Sequence, residues 1–175
     1  MPVLIVGANV YKKPNFITVA WSGVACGDPP MIAVAIRHSR YTLIGMRQNR
    51  TFSLNVPTES IVKETDFCGM ASGAKVDKAA KCGFEVFYGK LGTAPMIAQC
   101  PASVECSVHK TENLGSHVLV IGKMEEGHVS ESCLTAGRPD IDKMKTFVYT
   151  VSPEKLYRSV GAAIAQAFSA GREIG

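Results

Sequence analysis

The sequence predicts a mainly β protein: an antiparallel barrel with short crossover helices and a helix at the C-terminus. Apolar and polar residues alternate in many short segments along the 175 residues, which is the period of strands that have one buried face. The helical segments between these strands are brief. This combination favours an antiparallel barrel over a doubly wound parallel sheet.

The first two strands carry the clearest pattern. We interpret the apolar residues 1 to 10 as the first strand, and residues 15 to 22 as the second. In the second strand Ile17, Val19 and Trp21 are expected on the core face. The opposite face is small or hydroxyl-bearing, and it consists of Thr18, Ala20 and Ser22. Such a face allows a flat molecule to approach the backbone.

The strand after this pair is expected to be buried on both faces. Asp28-Pro29-Pro30 forms a turn, and residues 31 to 36 are continuously apolar. A helix from Ser39 to Asn49 is predicted next, with the Ser39 side chain as its cap. The following elements are predicted as a strand at residues 51 to 56, a helix capped by Thr58 or Ser60, a helix at residues 75 to 82 that Gly83 ends, and a strand containing Phe84, Val86 and Tyr88.

A long antiparallel hairpin dominates the second half of the predicted fold. Its strands are residues 104 to 110 and residues 117 to 124, joined by a turn-rich segment. Residues 125 to 145 contain Gly127, Gly137 and Pro139 and are predicted to be mostly loop. We expect a strand at residues 146 to 151 and an alanine-rich helix at residues 157 to 168.

Composition narrows the class of protein. A chain of 175 residues suits a single domain spanning residues 1–175. The net charge is only +4, and the lysines and arginines are scattered along the chain, so no nucleic-acid partner is expected. No apolar run is long enough to span a membrane and no signal peptide is evident, so we expect a cytoplasmic protein. The six cysteines form no C-x-x-C pair and are expected to be free thiols.

The sequence lacks the motifs of several common enzyme and nucleotide-binding classes. There is no G-x-G-x-x-G after a strand, no P-loop, no H-E-x-x-H and no G-x-S-x-G elbow. The four histidines lack the helical spacing of a metal site. Rossmann or P-loop nucleotide binding, metal hydrolysis and serine hydrolysis are therefore disfavoured, and no metal is predicted.

Two segments have the composition of anion sites. Residues 37 to 42 place two cations and two hydroxyls at the predicted start of a helix, where backbone N–H groups favour negative charge. Residues 68 to 78 combine glycines, Ser72, Lys75 and Lys78 near another helix start. Two such segments on one small barrel indicate a phosphate-bearing ligand.

The order of these motifs resembles a known family. The strand at residues 15 to 22, the Asp28-Pro29-Pro30 turn, residues 40 to 42 and Phe52-Ser53-Leu54-Asn55-Val56 carry the resemblance. It continues through Cys68-Gly69, Ser72-Gly73, Asp77-Lys78, Gly115-Ser116-His117 with Gly122, and the tail residues Tyr157, Gly161 and Ala167-Phe168. The chain resembles the flavin reductase family of FMN-binding split β-barrels, in particular its flavoredoxin-like branch.

The resemblance implies a homodimer that binds FMN near the subunit interface and exchanges electrons with NAD(P)H or a redox protein. It implies that the flavin ring lies against Thr18, Val19, Ala20, Trp21 and Ser22. The polar edge of the ring would meet Arg37 or the backbone of Asn55, Val56 and Pro57. The phosphate would be held by Ser39, Arg40, Thr42, Ser72, Gly73 and Lys75.

His117 is the residue that the resemblance places at the open face of the flavin, as the candidate catalytic residue. Ser116 stands before it where the family often has aspartate. A second interpretation remains: a non-enzymatic split-barrel binding module for another phosphate-bearing ligand or haem. Identification of the bound molecule would separate the two interpretations.

Overall fold

A seven-stranded antiparallel sheet makes up the body of the molecule. The computed structural model describes residues 1 to 174. Its strands are β1 (Leu4–Val10), β2 (Lys13–Val19), β3 (Ser22–Cys26), β4 (Met31–Arg37), β5 (Thr51–Val56), β6 (Val86–Phe87), β7 (Met96–Ile97), β8 (Ala102–Asn113), β9 (His117–Val129), β10 (Leu134–Thr135), β11 (Arg138–Pro139), β12 (Phe147–Tyr149) and β13 (Tyr157–Ser159). The large sheet has the order β2-β1-β5-β8-β9-β4-β3, and the remaining strands form three two-stranded pairs.

The connection between the two edge strands shows why the sheet curls. β2 and β3 lie at opposite edges of the sheet, yet only Ala20 and Trp21 separate them in the chain. The edges must therefore come together at this corner. There the backbone N–H of Ala35, in β4, donates to the carbonyl of Trp21 at 2.9 Å. The predicted antiparallel barrel is confirmed.

The helices are short and cover the outside of the barrel. They are α1 (Thr42–Asn49), α2 (Val62–Met70), α3 (Lys78–Cys82) and α4 (Ile141–Met144), with 3-10 turns at Glu59–Ile61, Glu131–Cys133 and Ala170–Glu173. α1 packs on β1, while α2 and α3 pack on β2. No helix within residues 1 to 174 is long and apolar enough to cross a membrane.

Two apolar clusters form the core. The larger fills the barrel with residues such as Phe52, Val34 and Val120. The smaller lies between the barrel and its helices, where the rings of Phe16 and Phe84 meet edge to face with centroids 5.8 Å apart. Burying an aromatic ring of this kind contributes about 1.5–3 kcal/mol. These contacts fix α2 and α3 against β2, which positions the site described below.

Several predicted helix boundaries are wrong by a few residues. The first helix begins at Thr42, after Tyr41, and has no side-chain cap, so Ser39 lies in the preceding turn. Thr58 precedes a 3-10 turn and likewise makes no cap bond. α3 begins at Lys78 because the Asp77 carboxylate accepts a hydrogen bond from the Ala80 N–H at 3.0 Å. It ends at Gly83, as predicted, where φ is +64°.

Two predicted strands are buried differently from expectation. Trp21 is 52% exposed, because β2 ends at Val19 and the chain turns the corner of the sheet before alternation can continue. In β4 only every second residue, such as Val34, is fully buried. Its other face is half-buried because no element within residues 1 to 174 covers it.

The second half departs from the prediction in its loop and its tail. The hairpin of β8 and β9 is confirmed, but β9 continues to Val129 into the segment predicted as loop. The predicted C-terminal helix is wrong. Residues Tyr157–Ser159 pair with β12 as a strand, and the side chain of Ile164 is fully exposed. Alanine-rich composition favours a helix, but a short helix needs packing contacts that this tail lacks.

The six cysteines are free, and four of them are buried. Burial raises the pKa of Cys68, Cys100 and Cys106 to about 12. A thiol that stays protonated is a poor nucleophile. We therefore expect iodoacetamide at pH 8 to label the half-exposed Cys26 of the native protein first and to leave these three unmodified, as read by mass spectrometry of the digest. Rapid labelling of Cys68 in the native protein would contradict this expectation.

Candidate functional site

A cavity opens where the corner of the sheet meets the ends of β4 and β9. We call it the corner cavity, and its volume is about 200 Å³. It is lined by Ile17, Thr18, Val19, Ala20, Trp21, Ala35, Ile36, Arg37, Arg40 and His117. No carboxylate is among these residues. The walls are therefore small, apolar or cationic, which suits a flat ligand with a polar edge.

One side of the corner cavity is closed by an aromatic pair. The rings of Trp21 and His117 stack with centroids 4.6 Å apart and planes inclined by 33°. His117 begins β9 and lies opposite Arg37 of β4 in the strand register. Its Nδ1 is hydrogen-bonded to the hydroxyl of Ser116 at 2.8 Å. Ser116 thus fixes the ring by a neutral hydrogen bond, where an aspartate would supply a charge.

A second cavity lies beside the first and is strongly cationic. We call it the cationic cavity, and its volume is about 80 Å³. It shares Ile17 and Arg40 with the corner cavity, so the two are neighbouring parts of one groove. Its lining consists of Ile17, Ser39, Arg40, Tyr41, Thr42, Ala71, Ser72, Gly73 and Lys78, without a carboxylate.

Lys78 is the most unusual residue of the cationic cavity. Its side chain is almost completely buried, with 3% exposed, and its ammonium donates to the carbonyls of Phe16 and Cys68, each at 2.8 Å. An ammonium has three N–H donors, so one remains for a ligand. Burial lowers the pKa of Lys78, and Arg40 adds to the lowering while Cys68 opposes it. An anion in the cavity favours the charged form and opposes the lowering.

Arg40 and Thr42 add two further donors. In the part of the chain that the structure describes, Arg40 forms no salt bridge with a carboxylate. The hydroxyl of Thr42 accepts a hydrogen bond from the Asn15 amide at 2.7 Å, so its own O–H can donate elsewhere. Buried or half-buried cations normally have anionic partners. The donor set therefore fits a phosphate group.

Gly73 is required by close packing at the edge of this cavity. A Cβ at Gly73 would collide with the side-chain amide of Asn15, which is the group that orients Thr42. A side chain here would displace Asn15 and with it the hydroxyl of Thr42. The glycine at this position thus allows the loop before α3 to approach β2.

The structure brings most of the predicted site residues together. Thr18, Val19, Ala20, Trp21, Arg37, Arg40 and His117 line the corner cavity, and Ser39, Arg40, Thr42, Ser72 and Gly73 line the cationic cavity. Thr18 lines the corner cavity, but its hydroxyl donates to the carbonyl of Thr65 in α2. Ser22 lines neither cavity, and its Oγ is buried with no hydrogen-bond partner within residues 1 to 174.

Other predicted residues lie elsewhere. Lys75 lines a neighbouring third cavity instead of the cationic cavity. Asn55 is fully buried, and its amide bonds the Ile5 carbonyl, Ser53 Oγ, the Ile97 N–H and Ser103 Oγ. Its polar atoms therefore hold the barrel together. Val56 and Pro57 line neither the corner nor the cationic cavity. Contact between the ring edge and the backbone of residues 55 to 57, the alternative to Arg37, stays a prediction.

Sequence reasoning missed two residues of the site. Lys78 was noted only as a source of charge, because a helical position alone does not reveal that the side chain turns inward. Tyr41 falls within the segment of residues 37 to 42 but has no predicted role there, yet it lines the cationic cavity. Within residues 1 to 174, no group of three or more His, Cys, Asp or Glu residues is placed to hold a metal ion.

Comparison with known proteins gives the family. The model of the flavin reductase like domain matches residues 1–156. The chain belongs to this family. Two flavoredoxin structures resemble this flavin reductase-like chain over almost its full length. Flavoredoxin from Methanosarcina acetivorans has a TM-score of 0.96 at 39% identity, covering 100% of this chain and 92% of that chain. Flavoredoxin of Desulfovibrio vulgaris (Miyazaki F) has a TM-score of 0.91 at 32% identity, covering 98% and 92%.

A more distant structure shares the fold of this flavin reductase-like chain. It is an FMN-binding protein from Thermus thermophilus, with a TM-score of 0.80 at 24% identity, covering 94% of this chain and 89% of that chain. The family and the split-barrel fold expected from the sequence are confirmed. The family model also supports a flavin as the expected cofactor.

Proposed function

We propose that this protein is an FMN-binding oxidoreductase that transfers electrons between NAD(P)H and flavin or onward to an acceptor. One observation carries the proposal: a cavity with small and apolar walls continues, through Arg40, into a cationic cavity without carboxylates. A flat ring joined to a phosphate fits this arrangement of apolar and cationic regions. Membership of the flavin reductase like domain family supports the same cofactor.

Different residues of the groove bind the phosphate and the ring of the proposed ligand. Arg40 and Lys78 supply charge to the phosphate, and Ser39 and Ser72 supply hydroxyl donors. The backbone from residues 18 to 21 forms the wall for the ring. When bound, FMN supplies the hydride and electron chemistry itself. The protein therefore needs to orient the ring and leave one face accessible.

Arg37 and His117 act at the ring end of the groove. Arg37 lines the corner cavity and forms no salt bridge within the described residues, so its guanidinium can stabilise negative charge there. His117 is held by Ser116 and by the stack with Trp21. We propose that this pair borders the face at which the electron donor or acceptor approaches.

The outer face of β4 and β9 supports a homodimer. Ala33 pairs with Ile121 and Ala35 with Leu119, and all four side chains are only half-buried. Val24, on the adjacent β3, is 79% exposed. This contiguous apolar face adjoins the corner cavity through Ala35. A second copy that covers the face would also come close to the groove.

Reconstitution with FMN tests the binding proposal. The protein is mixed with excess FMN, passed through a desalting column and examined by visible absorption. We expect flavin absorbance to coelute with the protein. The single tryptophan, Trp21, lines the cavity, so its emission should fall as FMN binds. Absence of both changes would refute FMN binding.

Anaerobic mixing separates a reductase from an electron carrier. Reduction of the bound flavin by NADH or NADPH alone would bleach its absorbance and support a direct reductase. Bleaching only by a reduced redox protein would limit the function to electron carriage. The non-enzymatic alternative is tested by mass spectrometry of the small molecule released from the purified protein, since recovery of haem or another phosphate ester would favour it.

A further inference from the structure

Two cysteines meet where the C-terminal ends of α2 and α3 touch. Cys68 of α2 is fully buried, and Cys82, the last residue of α3, is half-buried. The Cys82 thiol lies 4.0 Å from the carbonyl oxygen of Glu64, which is one helical turn before Cys68 in α2. The side chains of Cys68 and Cys82 are hydrogen-bonded to each other. The two sulfurs therefore face each other across the contact between the helices.

The hydrogen bond between the two thiols gives them different roles. Burial raises the pKa of both thiols, and it raises that of Cys68 to about 12. The hydrogen bond adds to the rise in the pKa of Cys68 and lowers the pKa of Cys82, so Cys68 is the donor and Cys82 the acceptor. For Cys82, Glu64 adds to the rise in pKa and Lys78 opposes it. Cys82 is thus the sulfur that can ionise and reach a reagent, and Cys68 is the buried sulfur beside it.

Lys78 connects this thiol pair with the phosphate end of the groove. It begins α3, four residues before Cys82, so the two side chains lie on the same face of the helix. Its ammonium donates to the carbonyl of Cys68 at 2.8 Å, and the residue lines the cationic cavity. Cys68 therefore contacts both the first and the last residue of α3. A change in the distance between the two cysteines moves the ammonium relative to the cavity.

We propose that Cys68 and Cys82 form an oxidisable thiol pair, and that their disulfide weakens the contact of Lys78 with the ligand phosphate. The oxidant is a hydroperoxide, such as hydrogen peroxide. A disulfide holds its sulfurs about 2.05 Å apart, much closer than a hydrogen bond between thiols does, so α2 and α3 must shift when it forms. The effect on the phosphate rests on the proposed flavin function, whereas formation of the disulfide does not.

The reaction balances with the peroxide as its only co-reactant. The Cys82 thiolate attacks one peroxide oxygen, the O–O bond breaks, and the leaving hydroxide takes up the proton that Cys82 lost, which leaves a sulfenic acid. The Cys68 sulfur then attacks the sulfenic sulfur, the S–O bond breaks, and hydroxide leaves as water with the Cys68 proton. The two thiols lose two electrons and two protons, and the peroxide becomes two waters. A dithiol reductant reverses the reaction by thiol–disulfide exchange.

Peptide mapping of the peroxide-treated protein tests the pairing. Free thiols are blocked under denaturing conditions before digestion with trypsin, which places Cys68 in peptide 64–75, Cys82 in peptide 82–90 and Cys100 in peptide 91–110. We expect hydrogen peroxide at pH 8 to link the first two peptides and dithiothreitol to separate them. Cys82→Ser should abolish the link. The matched control Cys100→Ser, which alters a buried thiol of the same apolar cluster, should retain it. No link, or a link from peptide 64–75 to peptide 91–110, would overturn the pairing.

The FMN affinities of the reduced and oxidised forms test the effect on the phosphate. Affinity is measured from the emission of Trp21, which lines the corner cavity. We expect oxidation to weaken FMN binding about tenfold in the wild type and in Cys100→Ser, since a charge-assisted contact is displaced. Cys82→Ser treated with peroxide in the same way should change by less than about twofold, which controls for oxidation at other residues.

The outcomes separate this inference from the proposed function. Equal FMN affinities of the disulfide-linked and reduced forms would overturn the effect on Lys78. An equal loss of affinity in peroxide-treated Cys82→Ser would assign the loss to another oxidised residue and would overturn it as well. Failure of the reduced wild type to bind FMN would refute the flavin function, while the peptide map would still decide whether Cys68 and Cys82 pair.

Discussion

Replacing Lys78 with methionine is expected to lower the free energy of unfolding by about 2–4 kcal/mol. The buried ammonium joins β2 to α2 by donating to the carbonyls of Phe16 and Cys68. Methionine preserves much of the side-chain volume but leaves both carbonyls without this donor, and each unpaired buried group costs about 1–3 kcal/mol. The methionine variant no longer buries a charge, and the desolvation cost it avoids offsets part of the loss of stability. The net change therefore falls below the sum of the two costs.

Urea unfolding without added flavin measures this effect. The matched control is Lys81→Met, which makes the same chemical change at an exposed position of the same short helix. We expect the control to stay within about 0.5 kcal/mol of the wild type, as surface substitutions usually do. Equal stability of the two variants would show that the Lys78 ammonium does not hold β2 and α2 together.

Replacing Arg40 with alanine is expected to weaken FMN binding by about 10- to 100-fold. Arg40 lines both the corner and the cationic cavities, and no carboxylate in residues 1 to 174 forms a salt bridge with it. A hydrogen bond to a charged group contributes about 1.5–3 kcal/mol, and about 1.4 kcal/mol is a factor of ten in affinity. Because the guanidinium is half-exposed, removing it should have little effect on folding.

Fluorescence titration of Trp21 with FMN measures the loss. Arg47→Ala is the matched control, since Arg47 is exposed in the last turn of α1 and lines none of the three cavities. We expect Arg47→Ala to bind FMN as the wild type does, at the same ionic strength. If both arginine variants lose affinity equally, the effect comes from net charge, and Arg40 is not a phosphate ligand.

The sequence predicted the barrel well because alternation is a local signal. The β8–β9 hairpin and the turn that ends α3 at Gly83 follow from residues close together in the chain. Trp21 was misplaced because the corner of the sheet is set by where the two edges meet, which no local pattern encodes. The prediction of a helix at residues 157 to 168 fails for a related reason. Local propensity favours a helix, but residues 157 to 159 pair with β12 and the residues that follow them are exposed.

The sequence predicts which segments form the candidate site better than it predicts the role of each residue in it. Both anion-binding segments do meet at the cationic cavity, and Arg40 and Ser72 line it as expected. The choice between Lys75 and Lys78 depended on which side chain turns inward, and this is decided by the packing of α3 on β2. The side chain of Asn55 is saturated by the barrel, which the sequence motif does not reveal, so only the backbone of Asn55 is available for the ligand contact that the resemblance implies.

The central claim is that the groove recognises a flavin through its phosphate at Arg40 and Lys78. The most direct measurement compares the affinities of the wild type for FMN and for riboflavin, which has the same ring without the phosphate. The cationic cavity predicts that FMN binds at least about 100-fold more tightly, since two charge-assisted contacts are lost with riboflavin. Equal affinities for FMN and riboflavin would contradict this account of the site.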